Sequence, residues 1–184
     1  MFAKAPKAPK NAFATVLTAG LGPLLSSGKY SDLTVHCEDN AWKEAKSGEI
    51  KLAGDEPLVV EAMLQALYDG DYVGIEEKEE FLENPLVFHA KVYAIGEKYD
   101  IAPLKDLAQT KTENILTLEW TPTYFFAAVN EVYQSTIPKD RGLRDIYAQV
   151  ATAQGPKLFA NKEFEEVMDQ NGQFWKDFAK GLNE

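Results

Sequence analysis

Residues 48–72, GEIKLAGDEPLVVEAMLQALYDGDY, contain the signals of a short strand, a turn and a capped helix. Polar and apolar residues alternate over 49–52, as they do in a half-buried strand. Asp55 is the predicted cap that accepts the first free amides of the helix, and Pro57 suits its first turn. Gly70 is expected to end the helix in the left-handed conformation. The apolar positions of this predicted helix are Val59, Val60, Met63, Leu64 and Leu67.

The composition limits the class of protein. The chain has 184 residues, 45% of them hydrophobic and 26% charged, which suits one domain or one domain with a helical extension. No apolar run approaches the roughly 20 residues of a membrane span, and the opening MFAKAPKAPKNAF does not resemble a secretory signal. The single cysteine, Cys37, excludes an intramolecular disulfide framework. We therefore expect a cytoplasmic or nuclear protein that does not enter a membrane.

The negative charge is unevenly distributed. The net charge is -10, and residues 38–83 alone carry 14 acidic and 4 basic side chains. A nucleic-acid surface needs clustered Lys and Arg, so nucleic acid is not an expected partner. The acidic stretch fits a basic protein partner, and it fits a solvated surface equally well.

Signals for further helices follow along the chain. Asn84-Pro85 and Thr121-Pro122 each supply a cap and a first-turn proline, and Asn161 supplies another cap. A helix that begins near Leu143 is expected to end at Gly155-Pro156. The aromatic residues expected to pack a last short helix into the core are Phe174, Trp175 and Phe178.

The sequence contains no constellation typical of an active site. Residues 33–37 alternate as a strand, so His36 and Cys37 point to opposite faces and cannot act together. These two and His89 are too few for a metal site, and no glycine-rich phosphate loop is present. We predict a protein that is not an enzyme and has neither a cofactor nor a metal.

Three blocks of sequence, in this order, resemble a known domain family. They are residues 28–35 (GKYSDLTV), the segment 50–72 with its GDEP turn and YDGDY end, and residues 89–101 (HAKVYAIGEKYDI). Together with Pro103-Leu104 and the residues that follow, they resemble the BTB/POZ domain, most closely that of filamentous fungal proteins. The resemblance covers roughly residues 25–116.

The resemblance implies a fold and a division of the chain. The fold would be α+β and mostly helical, of the BTB/POZ or Skp-like type, with a C-terminal helical extension. Residues 1–24 would be a flexible tail with a short helix, residues 25–116 the BTB/POZ domain, and residues 117–184 the extension.

The resemblance also implies a function. BTB domains are protein–protein interaction modules that form homodimers or heterodimers, and many dock on a cullin scaffold and present a substrate for ubiquitination. Asp32 matches the family's Ser-Asp pair near the dimer interface. Glu49 and Lys51 lie in the strand that takes part in cullin contact, and Tyr99 matches an aromatic position of the family. These four residues are the predicted interaction residues.

The chain departs from the family pattern near residues 40–42. Residues 38–41 lead directly to the segment that begins at Trp42, where the family has a second strand and a pair of helices. Elements of usual length would account for about 25–30 residues. Their absence would expose a strand edge and apolar surface, so we expect lower stability than in a complete domain, or a partner that completes it.

Two alternatives from other classes stay open. The shortened domain could be a truncated isoform that is non-functional or dominant-negative. The chain could also be a helical ligand-binding protein unrelated to the BTB family, which would require a pocket with convergent polar groups.

Overall fold

A computed structural model of the chain describes residues 34–36, 49–52, 54–75, 84–118 and 121–182. Its two strands, β1 (Thr34–His36) and β2 (Glu49–Lys51), pair in parallel with Val35 opposite Ile50. The helices in these ranges are α1 (Pro57–Asp69), α2 (Pro85–Lys98), α3 (Ala102–Leu118), α4 (Pro122–Ser135), α5 (Gly142–Phe159), α6 (Lys162–Gln170) and α7 (Gly172–Gly181). The prediction of a mostly helical protein is therefore confirmed.

The strand pair lies where the sequence predicted two separate strands. Parallel strands need a connection of about a dozen residues or more, and 37–48 provides 12. One edge of β1 is thus paired with β2. The prediction of an unpaired strand edge therefore applies only to the other edge of β1, where it stays a prediction.

Helix α1 begins and ends at the predicted residues, but its cap is different. Pro57 is in the first turn, and Gly70 has a φ of 72° and donates its amide to the carbonyl of Ala66 at 3.0 Å. The prediction that Asp55 caps the helix is wrong, because Glu56 occupies the cap position without a side-chain bond. Asp55 instead accepts hydrogen bonds from another helix. The buried residues of α1, Val59, Val60, Ala62 and Met63, all lie in its first half, so the predicted apolar Leu67 stays half exposed.

Helix α2 lies in the centre of the fold. The side chain of Asn84 accepts from the amides of Leu86 and Val87, as predicted, and nine of the fourteen residues of α2 are buried. A helix buried on most sides must be apolar around its circumference, and α2 is. Helix α3 can approach closely because a side-chain carbon at Gly96 would come within 2.9 Å of Lys105 Cγ. Asp100, with a φ of 55°, makes the tight turn between the two helices.

Helices α4 to α7 continue the same core. Thr121 caps α4 through the amide of Tyr124, Asn161 caps α6, and both caps were predicted. The predicted apolar residues of α4, all of them buried, are Phe125, Phe126, Val129, Val132 and Tyr133. Helix α4 packs on α2, so one cluster of buried apolar residues extends from Leu52 to Phe178. The division at residues 116 and 117 remains a prediction.

Helix α5 is longer than the sequence indicated. The prediction that it ends at Gly155-Pro156 is wrong, because the helix continues to Phe159. A proline removes one helical hydrogen bond, which destabilises a helix without forbidding it. Complete burial of Leu158 in the last turn offsets that loss.

A polar node joins the loop before α5 to α2 and α3. Asp140 accepts hydrogen bonds from Tyr93 Oη at 2.6 Å, Lys105 Nζ at 2.8 Å and the amide of Gly142 at 3.3 Å. Burial raises the pKa of Asp140, but the bonds from Lys105 and Tyr93 oppose it, and the pKa is below its usual value. Burial together with the Asp140 bond raises the pKa of Tyr93 to about 12.

We predict that Asp140→Asn destabilises the protein in a pH-dependent way. A carboxylate whose pKa is lowered by folding stabilises the folded state above its unfolded pKa and loses that effect as the pH falls. At pH 7 we expect a loss of about 1.5–3 kcal/mol in the free energy of unfolding, which is typical of hydrogen bonds to a charged group. Urea unfolding of both proteins should show the difference shrinking below about pH 4.

The matched control for this prediction is Asp169→Asn, at an exposed position of α6. Its effect should stay within about 0.5 kcal/mol at every pH. A loss at Asp140 that persists unchanged at pH 3 would contradict the role given to the ionised carboxylate.

Candidate interaction surface

Three of the four predicted interaction residues lie in the part of the chain that the structure describes. Asp32 lies outside the described residues. Glu49 and Lys51 lie in β2, which is paired with β1. Tyr99 follows the last residue of α2 and is partly buried, with its hydroxyl donating to Asp55 Oδ2 at 2.7 Å. Burial and this bond raise its pKa. A role in binding stays a prediction for all four.

A polar groove of about 470 Å³ lies between the start of α1, helix α2 and helix α4. Two ion pairs cross it, Lys91 Nζ to Glu56 Oε1 at 2.6 Å and Lys98 Nζ to Asp55 Oδ1 at 2.8 Å. Both pairs connect α2 to the segment just before α1. In each pair one side chain is about half exposed, so each pair contributes little to stability.

Two further polar side chains of α4 line this groove. Burial raises the pKa of Glu131 above its usual value. The hydroxyl oxygen of Ser135 is buried and has no hydrogen-bond partner among the described residues. The charged side chains of the groove therefore link the start of α1 to α2, and Glu131 and Ser135 lie on its α4 side.

An aromatic patch lies on the surface of the C-terminal helices. We use this name for Phe159, Trp175 and Leu182, of which 58%, 47% and 55% of the residue surface is exposed. The rings of Phe159 and Trp175 both contact the buried ring of Phe178, with centroids 5.9 and 5.8 Å away. Leu182 follows Phe178 by one helical turn and donates its amide to that residue's carbonyl. Two of the three exposed side chains therefore contact one buried phenylalanine, and the third follows it by one helical turn.

The patch has an acidic neighbour. The ring of Phe159 packs edge-on against Phe164 of α6, with centroids 4.9 Å apart. The exposed face of α6 carries four carboxylates and begins with one lysine: Lys162, Glu163, Glu165, Glu166 and Asp169. Helix α6, with its acidic exposed face, is therefore a direct neighbour of the patch.

Sequence reasoning assigned the aromatic residues of this region to the core. That is right for Phe174 and Phe178, which are fully buried, and wrong for Trp175. The spacing could not separate them, because positions 175, 178 and 182 follow one helical stripe, of which Phe178 is buried. Phe159 lies beyond the predicted end of α5, so the prediction did not include it.

The remaining candidates for chemistry are buried or isolated. His89 is fully buried, and its Nδ1 lies 2.8 Å from the hydroxyl oxygen of Tyr72. Within the described ranges, no group of three or more His, Cys, Asp or Glu side chains could hold a metal ion. No helix in those ranges has both the length and the apolar character to cross a membrane.

Comparisons with protein-family models, with curated proteins and with solved structures return no match. The resemblance to the BTB/POZ family therefore rests on the three sequence blocks described above.

We predict that truncation of two neighbouring aromatic residues lowers the free energy of unfolding by very different amounts. Phe178→Ala should lower the free energy of unfolding by about 3–5 kcal/mol, because it leaves a cavity in the core. Trp175→Ala should cost only about 1 kcal/mol, because much of its ring is already exposed. Urea unfolding followed by circular dichroism measures both. Equal losses would show that Trp175 is a core residue and not part of a surface available to a partner.

Proposed function

We propose that this chain is a protein–protein interaction module of the cytoplasm or nucleus that binds its partner through the aromatic patch. The observation that carries the proposal is the cluster of three large apolar side chains, about half exposed, on helices that are otherwise well packed. Single exposed apolar residues are normal, whereas a cluster with two aromatic rings marks a binding surface. Tryptophan in particular is enriched among the residues that dominate binding energy.

The charge of the surroundings favours one kind of partner. The exposed face of α6 beside the patch is acidic, whereas the net charge of -10 is concentrated in residues 38–83. Two copies that met through α6 would place like charges close together. We infer a different protein that inserts an apolar anchor next to Phe178 and places Lys or Arg side chains against α6.

We test this proposal by cross-linking from the patch. A benzophenone amino acid replaces Phe159 or Trp175, and the control replaces Tyr124, an exposed aromatic residue of α4 outside the patch. The two patch positions should capture one partner that position 124 does not. With that partner purified, calorimetry should show that Trp175→Ala weakens binding by about 30-fold or more, as expected for a residue worth 2 kcal/mol.

The dependence of affinity on salt concentration tests the proposed contact between α6 and a basic partner. Affinity for the purified partner should fall as salt rises, and Glu166→Lys should weaken binding. Tyr124→Ala should leave it within about threefold. Unchanged binding by Trp175→Ala would overturn the role of the patch, and cross-links to a second copy of the chain would overturn the basic partner.

We further propose that residues 25–116 form a BTB-type domain that acts as an adaptor of a cullin ligase. The order of two strands, helix α1 and two closing helices supports this proposal, together with the three sequence blocks. The family's helical pair is not recognisable in the sequence, so cullin contact would depend on β2 and the closing helices.

A pull-down with the N-terminal domain of a cullin tests the adaptor role. The chain should be retained, and reversal of both charges of β2, Glu49→Lys with Lys51→Glu, should reduce retention severalfold. Glu163→Lys, on the distant helix α6, is the control and should have no effect. Lack of binding while a complete BTB protein binds would remove the ligase role and leave the interaction module.

A further inference from the structure

The beginning of the chain contains a repeat that the proposed function does not use. Residues 4–10 read KAPKAPK, so lysine and proline each recur at every third position. Within this repeat, residues 6–9 have the pattern PxxP. In a polyproline II helix, which has three residues per turn, the lysines would share one edge and the prolines another. The repeat lies outside the part of the chain that the structure describes.

The aromatic patch has features that suit such a segment. Extended PxxP segments dock in grooves lined by aromatic rings. Gly172 lies three residues before Trp175, and a side-chain carbon added at Gly172 would meet no atom within 4 Å. Side chains of a helix lean towards its N-terminus, so this open space lies beside the indole ring of Trp175. A proline ring can therefore pack against Trp175 without displacing a described side chain.

The acidic helix beside the patch has the charge that complements the repeat. Its four carboxylates are exposed, and none of them forms an ion pair with another described residue: Glu163, Glu165, Glu166 and Asp169. With Lys162, they give α6 a net charge of -3, and the three lysines of the repeat carry +3. Complementary charges of this kind select a partner and fix its orientation.

The chain between the repeat and the fold is long enough for the two to meet. Thr34, where β1 begins, follows residue 10 by 24 positions, and a chain of that length spans up to about 80 Å. A folded chain of this size has a radius of gyration of about 16 Å, so its whole surface is within reach. Attachment to the same chain also gives an effective concentration on the order of a millimolar, so a weak contact is sufficient.

We propose that residues 4–10 dock on the aromatic patch of the same chain, with the prolines against Trp175 and the lysines against α6. The repeat then occupies the surface that the proposed partner uses and competes with that partner. The docking depends only on the patch and α6, whereas the competition rests on the proposed function.

Cross-linking from the repeat tests the docking in the full chain. A benzophenone amino acid replaces Ala8, and mass spectrometry maps its cross-links after the chain is mixed with an isotopically labelled copy. The cross-links should join residue 8 to residues 159–182 of the same chain, and high salt should reduce their yield, because it screens exposed charges. Cross-links only to a second copy, cross-links to the acidic stretch 38–83, or no defined cross-link would each overturn the proposal.

Charge reversals show whether the contact depends on α6. With the probe at residue 8, Glu163→Lys combined with Glu166→Lys should lower the yield by about threefold or more. The matched control reverses two exposed carboxylates of α3, Asp106→Lys with Glu113→Lys, and should leave the yield unchanged. Equal yields in these two variants would contradict docking on α6. Trp175→Ala should lower the yield as well.

The competition has a separate readout once the partner is purified. Replacement of Lys4, Lys7 and Lys10 by Gln should strengthen binding of the partner severalfold, because a site that is already occupied binds with reduced apparent affinity. Equal affinity of this variant would overturn the competition. If Trp175→Ala leaves the partner's affinity unchanged, the proposed function fails, and the cross-links from residue 8 still decide whether the repeat docks.

Discussion

The structure depends on the burial of helix α2. Residues such as Leu86, Phe88, Ala90 and Val92 are almost completely removed from solvent, because α1, α3 and α4 pack around this helix. The helix can be covered only if both the part of the chain that resembles a BTB domain and the C-terminal helices contribute. Packing around α2 is thus what joins the two parts into one core, and each apolar side chain buried there stabilises both.

Three aspartates fix the directions of the surrounding helices. Each accepts from one tyrosine hydroxyl and one cation of other segments: Asp55 from Tyr99 and Lys98, Asp140 from Tyr93 and Lys105, and Asp177 from Tyr133 and Arg141. Charged hydrogen bonds have strict geometry, whereas apolar contacts tolerate rotation and sliding. The three nodes therefore specify how the helices are oriented once the core has brought them together. Lys105 adds a second contact, with its Nζ 4.7 Å from the centre of the Tyr93 ring.

The sequence predicted what is decided locally. The caps at Asn84, Thr121 and Asn161 and the end of α1 at Gly70 are confirmed, because each is a bond within a few residues of the helix end. Most apolar stripes are confirmed as well. Asp55 was misread because a lysine and a tyrosine more than forty residues away bind it, and no local pattern records such a partner.

The same limit explains the errors in the C-terminal helices. The Gly155-Pro156 pair predicted a helix end, but the burial of Leu158 outweighs the free-energy cost of a proline inside the helix. Trp175 was predicted to lie in the core, but the rings of Tyr133 and Phe178 occupy the space beside Phe174. The buried Asp177 was missed altogether, since one aspartate in a short amphipathic helix carries no sign of its partners.

The passage of α5 through Pro156 has a consequence for how the end of this helix is held. Position 156 has no amide hydrogen, so the carbonyl of Thr152 loses the bond that would tie the last turn to the rest of the helix. A helix bends most easily where a bond of its ladder is lost. Phe159 lies beyond that point, in the same turn as the fully buried Leu158, and its ring packs against Phe164 and Phe178. The last turn of α5 is therefore held by side-chain packing and not by the helical hydrogen-bond ladder.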